Sequence, residues 1–367
     1  MISDIGFQPD YTIAPGEILA EYLEAVGMSQ RDLALRTGLT PKTINEIVNA
    51  KATITAETAL KLERVLGRPA HFWQNLESLY QEVRARETER DRLRAGLDWL
   101  KRVPVTALIK HGWLPHLKDQ VEQLDAVLRF FGVNAVEQWQ AMWEGHQVAY
   151  RQSVRFEAHP EAVSAWLRQG ERQAQEMRCA PYDKARFQAA LLEIRGLTRQ
   201  PPERFQQQLV DLCAGAGVAL AFVPELPKTG VSGATRWLSP DKALIQLSLR
   251  YKSDDQLWFT FFHEAGHVLL HGKKEVFIEG NGLDGEKEVE ANRYAADTLI
   301  PPAKLKVLLA GGRPALAQVE AFAVEIGIAP GIVVGRLQKE GVYDHKIGNG
   351  LKRRFCWAES CDEKAAA

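Results

Sequence analysis

Two histidines and a glutamate in the segment FTFFHEAGHVLLHG, residues 259–272, have the spacing of a metal site. If the segment is helical, His263 and His267 lie one turn apart on the same face, so both imidazoles can reach one zinc ion. Glu264 is rotated to the side, where it can take a proton from a water at the metal instead of binding the metal. The alternative interpretation is a buried helix whose histidines are hydrogen bonded within the core.

The third histidine of this segment does not complete the site. His271 lies eight residues after His263, about 12 Å along a helix axis, which is too far for both to bind one ion. We expect His271 to interact with the C-terminal end of the helix, where a partly positive imidazole is favoured. The third ligand must therefore come from another segment.

The segment EKEVEANRYAADTLIPP contains two candidates for that ligand. It is predicted to be helical from about Glu286 to Leu299, because Pro301 and Pro302 then stop the helix. Glu288 and Asn292 are four residues apart, so the carboxylate can bind zinc while the amide orients a ligating histidine. Glu290 is the alternative ligand. Glu288 ranks higher because it shares a face with small and apolar residues that can pack against the first helix, namely Ala291, Ala295 and Leu299.

The elements that position these helices include a small sheet. The runs VALAFVPEL, VSGATRWL and KALIQLSLR are short, apolar and bounded by turn residues, which predicts β-strands. The run ALIQLSLR is expected to be an edge strand that aligns an extended peptide. Ser253 to Asp255 offer an N-cap for the histidine-bearing helix, and Gly272 is expected to close it.

The N-terminal part reads as five short amphipathic helices between Ala14 and Tyr80. Ser29 with Asp32, Thr40 before Pro41, and Thr55 are the predicted helix starts. A helix, a short turn containing glycine and a second helix with polar outward residues form the helix-turn-helix pattern. The alternative is a helical bundle with a solvated polar face.

On the first interpretation the recognition helix runs from about Pro41 to Asn49 and exposes side chains that can read base edges or contact phosphates. The candidate DNA-binding residues are Gln30, Lys42, Thr43, Asn45 and Asn49. Residues 1–80 carry seven Lys/Arg and ten Asp/Glu, so the domain is slightly acidic. A homodimer that adds a second half-site is therefore expected for useful affinity.

Residues 81–200 are predicted to be a helical connector, which opens with the charged run QEVRARETERDRLRAGLDWLKR. Its tryptophans are interpreted as packing anchors between helices, with base stacking as the alternative; they are Trp99, Trp113, Trp139, Trp143 and Trp166. The stretch TRQPPERF marks a break before the next domain. Residues 356–367 are expected to be a disordered tail.

Composition limits the class of protein. The chain has 367 residues, of which 46% are hydrophobic and 25% charged, and its net charge is −1. No apolar run approaches the length of a membrane span, and the start lacks the basic residues of a secretory signal, so a cytoplasmic protein without a membrane partner is expected. Four cysteines without a C-x-x-C pair argue against a disulfide framework and a zinc ribbon.

Residues 12–80, from PGEILAEYLEAVG through ITAETAL to FWQNL, resemble the XRE-type helix-turn-helix of HigA-family antitoxins. Ala14 stands where that family usually has histidine, at a position to which no role is assigned. The resemblance implies a repressor-like domain that binds palindromic double-stranded DNA as a homodimer.

The pair of motifs HEAGHVLLH and E-x-x-A-N-x-Y-A-x-x-L-I-P resembles the ImmA/IrrE family of zinc metallopeptidases, over roughly residues 180–355. Tyr294 stands where a phenylalanine is commoner in that family. The resemblance implies Zn²⁺ held by His263, His267 and Glu288, with Glu264 as general base. It also implies that the substrate is a repressor or another regulatory protein.

The resulting hypothesis is a multidomain protein: an all-α five-helix helix-turn-helix domain (1–80), a helical connector (81–200) and an α+β zincin-like metallopeptidase domain (201–355). Its function would be that of a DNA-binding transcriptional regulator that carries a zinc endopeptidase. One alternative is an antitoxin-like repressor whose metal domain is a sensor or scaffold without proteolytic activity. Another is a peptidase whose helix-turn-helix docks only protein partners.

Overall fold

The structure is a computed structural model that describes residues 13–150, 159–273, 277–279 and 285–357, with the backbone alone at 144–150 and 279. The chain divides into two compact units between Ala95 and Gly96. Ten of the twelve residues of the predicted tail lie outside the described residues. Of its first two, Cys356 is disulfide-bonded, and Trp357 packs against the core of the second unit.

Five helices form the described part of the first unit. They are α1 (Pro15–Ala25), α2 (Gln30–Thr37), α3 (Pro41–Val48), α4 (Ala56–Leu66) and α5 (Ala70–Ala95). Three of them begin where the sequence predicts, because the N-cap side chains of Ser29, Thr40 and Thr55 each accept a hydrogen bond from a first-turn backbone N–H. The core between the helices is apolar, with Leu19, Leu33, Ile44, Ile47, Leu62 and Trp73 almost fully buried.

The fifth helix is longer than predicted. It continues through Tyr80 and the charged run as far as Ala95, because the segment contains neither glycine nor proline to stop it. Ion pairs one turn apart, such as Arg86 with Glu82 at 2.7 Å, lie along its exposed surface. The first part of the predicted connector therefore belongs to the same helix as the end of the helix-turn-helix unit.

The second unit places helices around a small mixed sheet. Its helices before the sheet are α6 (Leu97–Leu100), α7 (Val105–Lys110), α8 (Gln120–Phe131), α9 (Val136–Tyr150), α10 (Pro160–Glu176), α11 (Lys184–Leu197) and α12 (Pro202–Gly215). Those that follow its third strand are α13 (Asp254–Leu270), α14 (Glu286–Leu299), α15 (Pro302–Leu309), α16 (Leu316–Ile326) and α17 (Pro330–Lys339). Among the described residues no single helix is long and apolar enough to cross a membrane, and the pair α16 and α17, which would reach that length together, is bent by 117°.

The sheet has the strand order β1-β3-β2-β4, with β1 (Val218–Phe222), β2 (Gly233–Ser239), β3 (Lys242–Leu247) and β4 (Phe277–Glu279). Strand β3 pairs in parallel with β1 and antiparallel with β2, and β4 pairs antiparallel with β2. The run ALIQLSLR is thus in the centre of the sheet, and its prediction as an edge strand was wrong. Its continuous burial explains this position, since a strand covered on both faces has apolar residues without alternation.

The tryptophans of residues 96–200 are packing residues. Trp99, Trp139 and Trp166 are at most 5% exposed, and the rings of Trp139 and Trp143 stack with centroids 6.1 Å apart. The indole N–H of Trp166 donates to the carbonyl of Val223 beyond the end of β1, which fastens α10 to the sheet. This part of the predicted connector therefore belongs to the second unit.

Candidate metal centre and nucleic-acid interface

The metal-site residues come from two helices that pack closely, α13 and α14. Gly266 allows this approach, because a Cβ there would lie 3.3 Å from the Cα of Ala291. The close packing brings Glu288, in the first turn of α14, against His263 and His267 of α13. The same geometry separates the two candidate glutamates, since Glu290 is exposed at the side and contacts His271 instead.

His263, His267 and Glu288 form a buried group of ligand atoms that could hold one metal ion. The Nε2 atoms of the two histidines are 3.0 Å apart, and the Glu288 carboxylate lies 3.1 Å from Nε2 of His263 and 3.5 Å from Nε2 of His267. Two imidazoles and one carboxylate are a donor set typical of zinc sites that retain an open position. The residues present therefore fit a zinc ion.

The protonation states of this group also suit a metal. Burial lowers the pKa of His267 to about 4, so its imidazole is neutral at pH 7. Burial by itself would raise the pKa of Glu288, but its contacts with the two histidines outweigh that effect and hold the pKa at about 2. Neutral imidazoles and an ionised carboxylate are the forms that bind metal ions.

Each histidine of the group has a partner at its other ring nitrogen. Nδ1 of His263 lies 3.1 Å from Oδ1 of Asn292. Nδ1 of His267 lies 2.9 Å from Nδ1 of His271, whose Nε2 lies 3.1 Å from a carboxylate oxygen of Glu290. Both contacts suit a tautomer in which Nδ1 carries the proton and Nε2 faces the metal position.

The chain from His267 through His271 to Glu290 was not foreseen from the sequence. Helix α13 ends at Leu270, and His271 is its C-cap: the backbone N–H of His271 donates to the carbonyl of His267, and its ring contacts the ring of His267. The spacing of four residues between the two histidines was an available signal, because it places their side chains one turn apart.

Glu264 is fully buried and lies outside the group of ligand atoms, against strand β2. The hydroxyl of Thr235 donates to Oε2 of Glu264 at 2.6 Å. Gly233 makes room for the carboxylate, because a Cβ at this position would lie 2.6 Å from Oε1. The sheet thus positions the acid beside the metal group, and this role of β2 was also not foreseen.

A cleft of about 640 Å³ opens beside the site between α13, α14 and α17. We call it the α17 cleft. It reaches from His263 and Glu288 to Asp255 in the first turn of α13, and Phe259 and Ile332 are among its apolar walls. A cleft of this size next to a metal group can hold part of a ligand or peptide.

In the first unit, α3 buries Ile44 and Ile47 and turns its polar residues outward. Lys42, Asn45 and Asn49 are exposed, whereas Thr43 and Gln30 are half-buried. The amide of Asn45 lies 3.5 Å from that of Gln30, so α2 and α3 contribute to one polar surface. Thr40 caps α3 by accepting from the backbone N–H of Thr43 and also contacts the Thr43 hydroxyl, which leaves Thr43 the least accessible candidate on α3.

Comparisons with known proteins match the N-terminal helices and the metal-site domain to two different families. Residues 19–73 match the family model described as Helix-turn-helix, and residues 225–337 match the Peptidase_M78 model, described as IrrE N-terminal-like domain. The chain therefore joins an XRE-type helix-turn-helix to an IrrE-like domain. In its helix-turn-helix part it belongs to the HTH-type transcriptional regulators.

Individual relatives resemble only a small part of the chain. Virulence-associated protein I of Dichelobacter nodosus is 46% identical over 69 residues, which are 18% of this chain and 64% of that protein. The uncharacterized HTH-type transcriptional regulator YddM of Escherichia coli (strain K12) is 33% identical over 74 residues, 20% of this chain and 79% of that protein. The solved structure of Pseudomonas aeruginosa antitoxin HigA with higBA promoter is 34% identical and covers 22% of this chain and 90% of that one, with a TM-score of 0.22.

Proposed function

We propose that the protein is a DNA-binding regulator whose second unit is a zinc-dependent endopeptidase acting on a repressor or another regulatory protein. The observation that carries the proposal is the buried group of His263, His267 and Glu288 with a second acid, Glu264, placed outside it. A purely structural zinc site needs no such acid, whereas hydrolysis needs a base beside the metal.

A zinc ion held by the three residues would supply Lewis acidity towards the peptide carbonyl and the attacking water. Glu264 accepts a proton from that water as its oxygen bonds to the carbonyl carbon. When the C–N bond breaks, Glu264 returns the proton to the leaving amine. Because Thr235 holds Oε2 of Glu264, the proton is carried on Oε1. Asn292 and His271 keep the imidazoles in orientation.

The peptidase is tested with the full chain, a mixture of synthetic peptides, and mass spectrometry of the products. E264Q preserves the shape of the side chain and leaves the ligand set intact, so it should retain zinc and cleave about 10²–10⁴-fold more slowly. E320Q is the matched control, because Glu320 is exposed on α16 and does not belong to the group of ligand atoms. Equal cleavage by E264Q and the parent would exclude Glu264 as the base.

Zinc binding without any cleavage by the parent would instead favour the alternative function, a repressor whose metal domain is a sensor or scaffold. This outcome leaves the DNA-binding half of the proposal in place, because the two units carry separate sites.

For the first unit we propose that a homodimer binds a palindromic operator through α3. The exposed amides of Asn45 and Asn49 can each bond to an adenine edge, and Lys42 can reach guanine or phosphate. Gln30 lies beside Asn45, and the half-buried Thr43 follows Lys42 on α3. The printed description of the Pseudomonas aeruginosa relative, an antitoxin with its promoter, is compatible with such a role.

This proposal is tested by selecting bound duplexes from a random DNA pool and then measuring affinity for the selected sequence. N45A and N49A should each weaken specific binding by about 1–3 kcal/mol. Unchanged affinity in both variants would contradict a recognition role for α3 and would favour a helix-turn-helix that docks proteins. Size-exclusion chromatography with light scattering tests the dimer.

A further inference from the structure

The side of the metal group on which the proposed base stands is closed. His263 and His267 are each 1% exposed, and Glu264 is completely buried. The α17 cleft reaches His263 and Glu288, but neither His267 nor Glu264 is among the described residues that line it. A base must lie within hydrogen-bond reach of the proton that it takes, so a peptide carbonyl has to enter on the side of Glu264. That side faces β2, where Thr235 donates to the carboxylate.

The outer edge of β2 is occupied by β4 at this point. The three residues of β4 pair antiparallel with β2, and Phe277 lies directly opposite Thr235. Residues directly opposite each other in an antiparallel pair point to the same face of the sheet. Because Thr235 faces α13 through its hydrogen bond to Glu264, Phe277 faces α13 as well.

The ring of Phe277 covers one of the two candidate ligand histidines. It stacks on the imidazole of His267, with centroids 4.0 Å apart and an angle of 18° between the planes. The ring of His271 lies 5.1 Å away, and Nζ of Lys287 lies 6.0 Å from the centroid. The next residue of β4, Ile278, points to the opposite face of the sheet and is 2% exposed. An aromatic ring and a paired strand thus occupy the place where a peptide has to enter.

We propose that β4 is an autoinhibitory strand, which must separate from β2 before a substrate can reach Glu264; the inference rests on the proposed peptidase function. An extended peptide that adds to the same edge of β2 makes main-chain hydrogen bonds in place of those of β4. The substrate and β4 therefore compete for one edge of the sheet, and the peptidase is latent while β4 is paired.

The pairing of β4 is short enough to be reversed. It covers only residues 233–235 of β2, whereas β2 pairs with β3 at six positions. Segments with few paired residues open at a smaller free-energy cost than the centre of a sheet. Beyond Thr235, β2 continues to Ser239, and in the described ranges no strand pairs with its outer edge there. A longer peptide can therefore pair with more of β2 than β4 does.

The test locks β4 to β2 in the full chain by a disulfide. A234C and I278C together place two cysteines directly opposite each other, on the face of the sheet away from Glu264 and at a spacing that a disulfide can bridge. Cleavage of the peptide mixture by the zinc-loaded double variant is measured after oxidation with diamide and again after reduction with a phosphine. The reduced form should cleave at least about tenfold faster, because only this form populates the open state. A234C alone is the matched control and should cleave equally under both conditions.

A binding measurement separates this inference from the proposed function. The Co²⁺-loaded double variant is titrated with acetyl-trialanine hydroxamate, a peptide that carries a metal-binding group, and the visible absorption of Co²⁺ reports binding at the metal. If no peptide is cleaved, but the hydroxamate binds at least about tenfold more tightly to the reduced form, β4 is autoinhibitory and the peptidase proposal fails. Hydroxamate binding that is equal in the two forms, or absent from both, overturns the inference. Equal cleavage by the two forms also overturns it and leaves the peptidase in place.

F277A distinguishes autoinhibition from mere support of the histidine. Without the ring, β4 loses its stacking on His267 and opens more often, so F277A should cleave about tenfold faster than the parent at equal zinc content. V324A, at an exposed position of α16, is the matched control and should cleave like the parent. If Phe277 only supports His267, F277A should lose zinc and cleave more slowly, and this result would overturn the inference.

Discussion

Replacing Gly233 by alanine tests whether the packing of β2 against α13 sets the position of Glu264. The new Cβ would lie 2.6 Å from Oε1 and 2.9 Å from Cγ of Glu264, whereas ordinary contacts begin near 3.4 Å. The carboxylate must therefore withdraw by about 1 Å, and a displacement of this size in a reacting group can cost about 100-fold in rate.

The stability cost of G233A should be smaller than its effect on the rate. The closest atoms belong to the side chains of Glu264 and Thr260 and not to the backbone. Side chains can move away from the new Cβ without a shift of the backbone. We expect the usual cost of overpacking, about 1–3 kcal/mol in the free energy of unfolding. Zinc content should be unchanged, because the three ligand atoms come from α13 and α14 and none comes from β2.

The assay compares initial cleavage rates of the parent, G233A and G196A on the same peptide mixture, with zinc content and the thermal midpoint measured for each. Gly196 on α11 is the control, since a Cβ there meets nothing within 4 Å. G196A should cleave like the parent. A folded, zinc-loaded G233A that also cleaves like the parent would refute the argument that β2 positions the base.

Three further expectations concern the metal group, the pH dependence of stability and the first unit. E288Q should lose stoichiometric zinc on dialysis, whereas E290Q should retain it with affinity reduced about 10–100-fold; equal zinc contents would contradict the choice of ligand. Burial raises the pKa of Asp254 to about 6, so the folded state favours the protonated carboxyl. The free energy of unfolding of the parent should therefore fall by up to about 3 kcal/mol as the pH rises from about 4 to 6. In urea unfolding, D254N should therefore be more stable than the parent at pH 7 but not at pH 4, and an advantage independent of pH would contradict the cause. G16A would place a Cβ 2.0 Å from the carbonyl oxygen of Ile47, so it should lower the thermal midpoint and operator affinity together; an unchanged midpoint would contradict the close packing of α1 on α3.

Local patterns in the sequence predicted the elements whose causes are local. The starts of α2, α3 and α4 follow from their N-cap residues, because each N-cap side chain accepts a hydrogen bond from a backbone N–H only three residues later. The placement of His263 and His267 on one face of a helix follows from their spacing alone. Helix α5 continues past Tyr80, because a run of charged residues without glycine or proline can continue a helix as well as leave one.

What only the tertiary structure decided is which distant groups meet. Glu288 and Glu290 lie two residues apart on one helix, and the sequence offered both as ligands. The packing of α14 on α13 through Gly266 and Ala291 turns Glu288 towards the histidines and Glu290 towards His271. Sequence periodicity could not predict the contact of Thr235 with Glu264 either, because the two residues are 29 positions apart. A pattern of spacing fixes the direction of a side chain on its own element, but the atom that it contacts depends on how that element packs against the others.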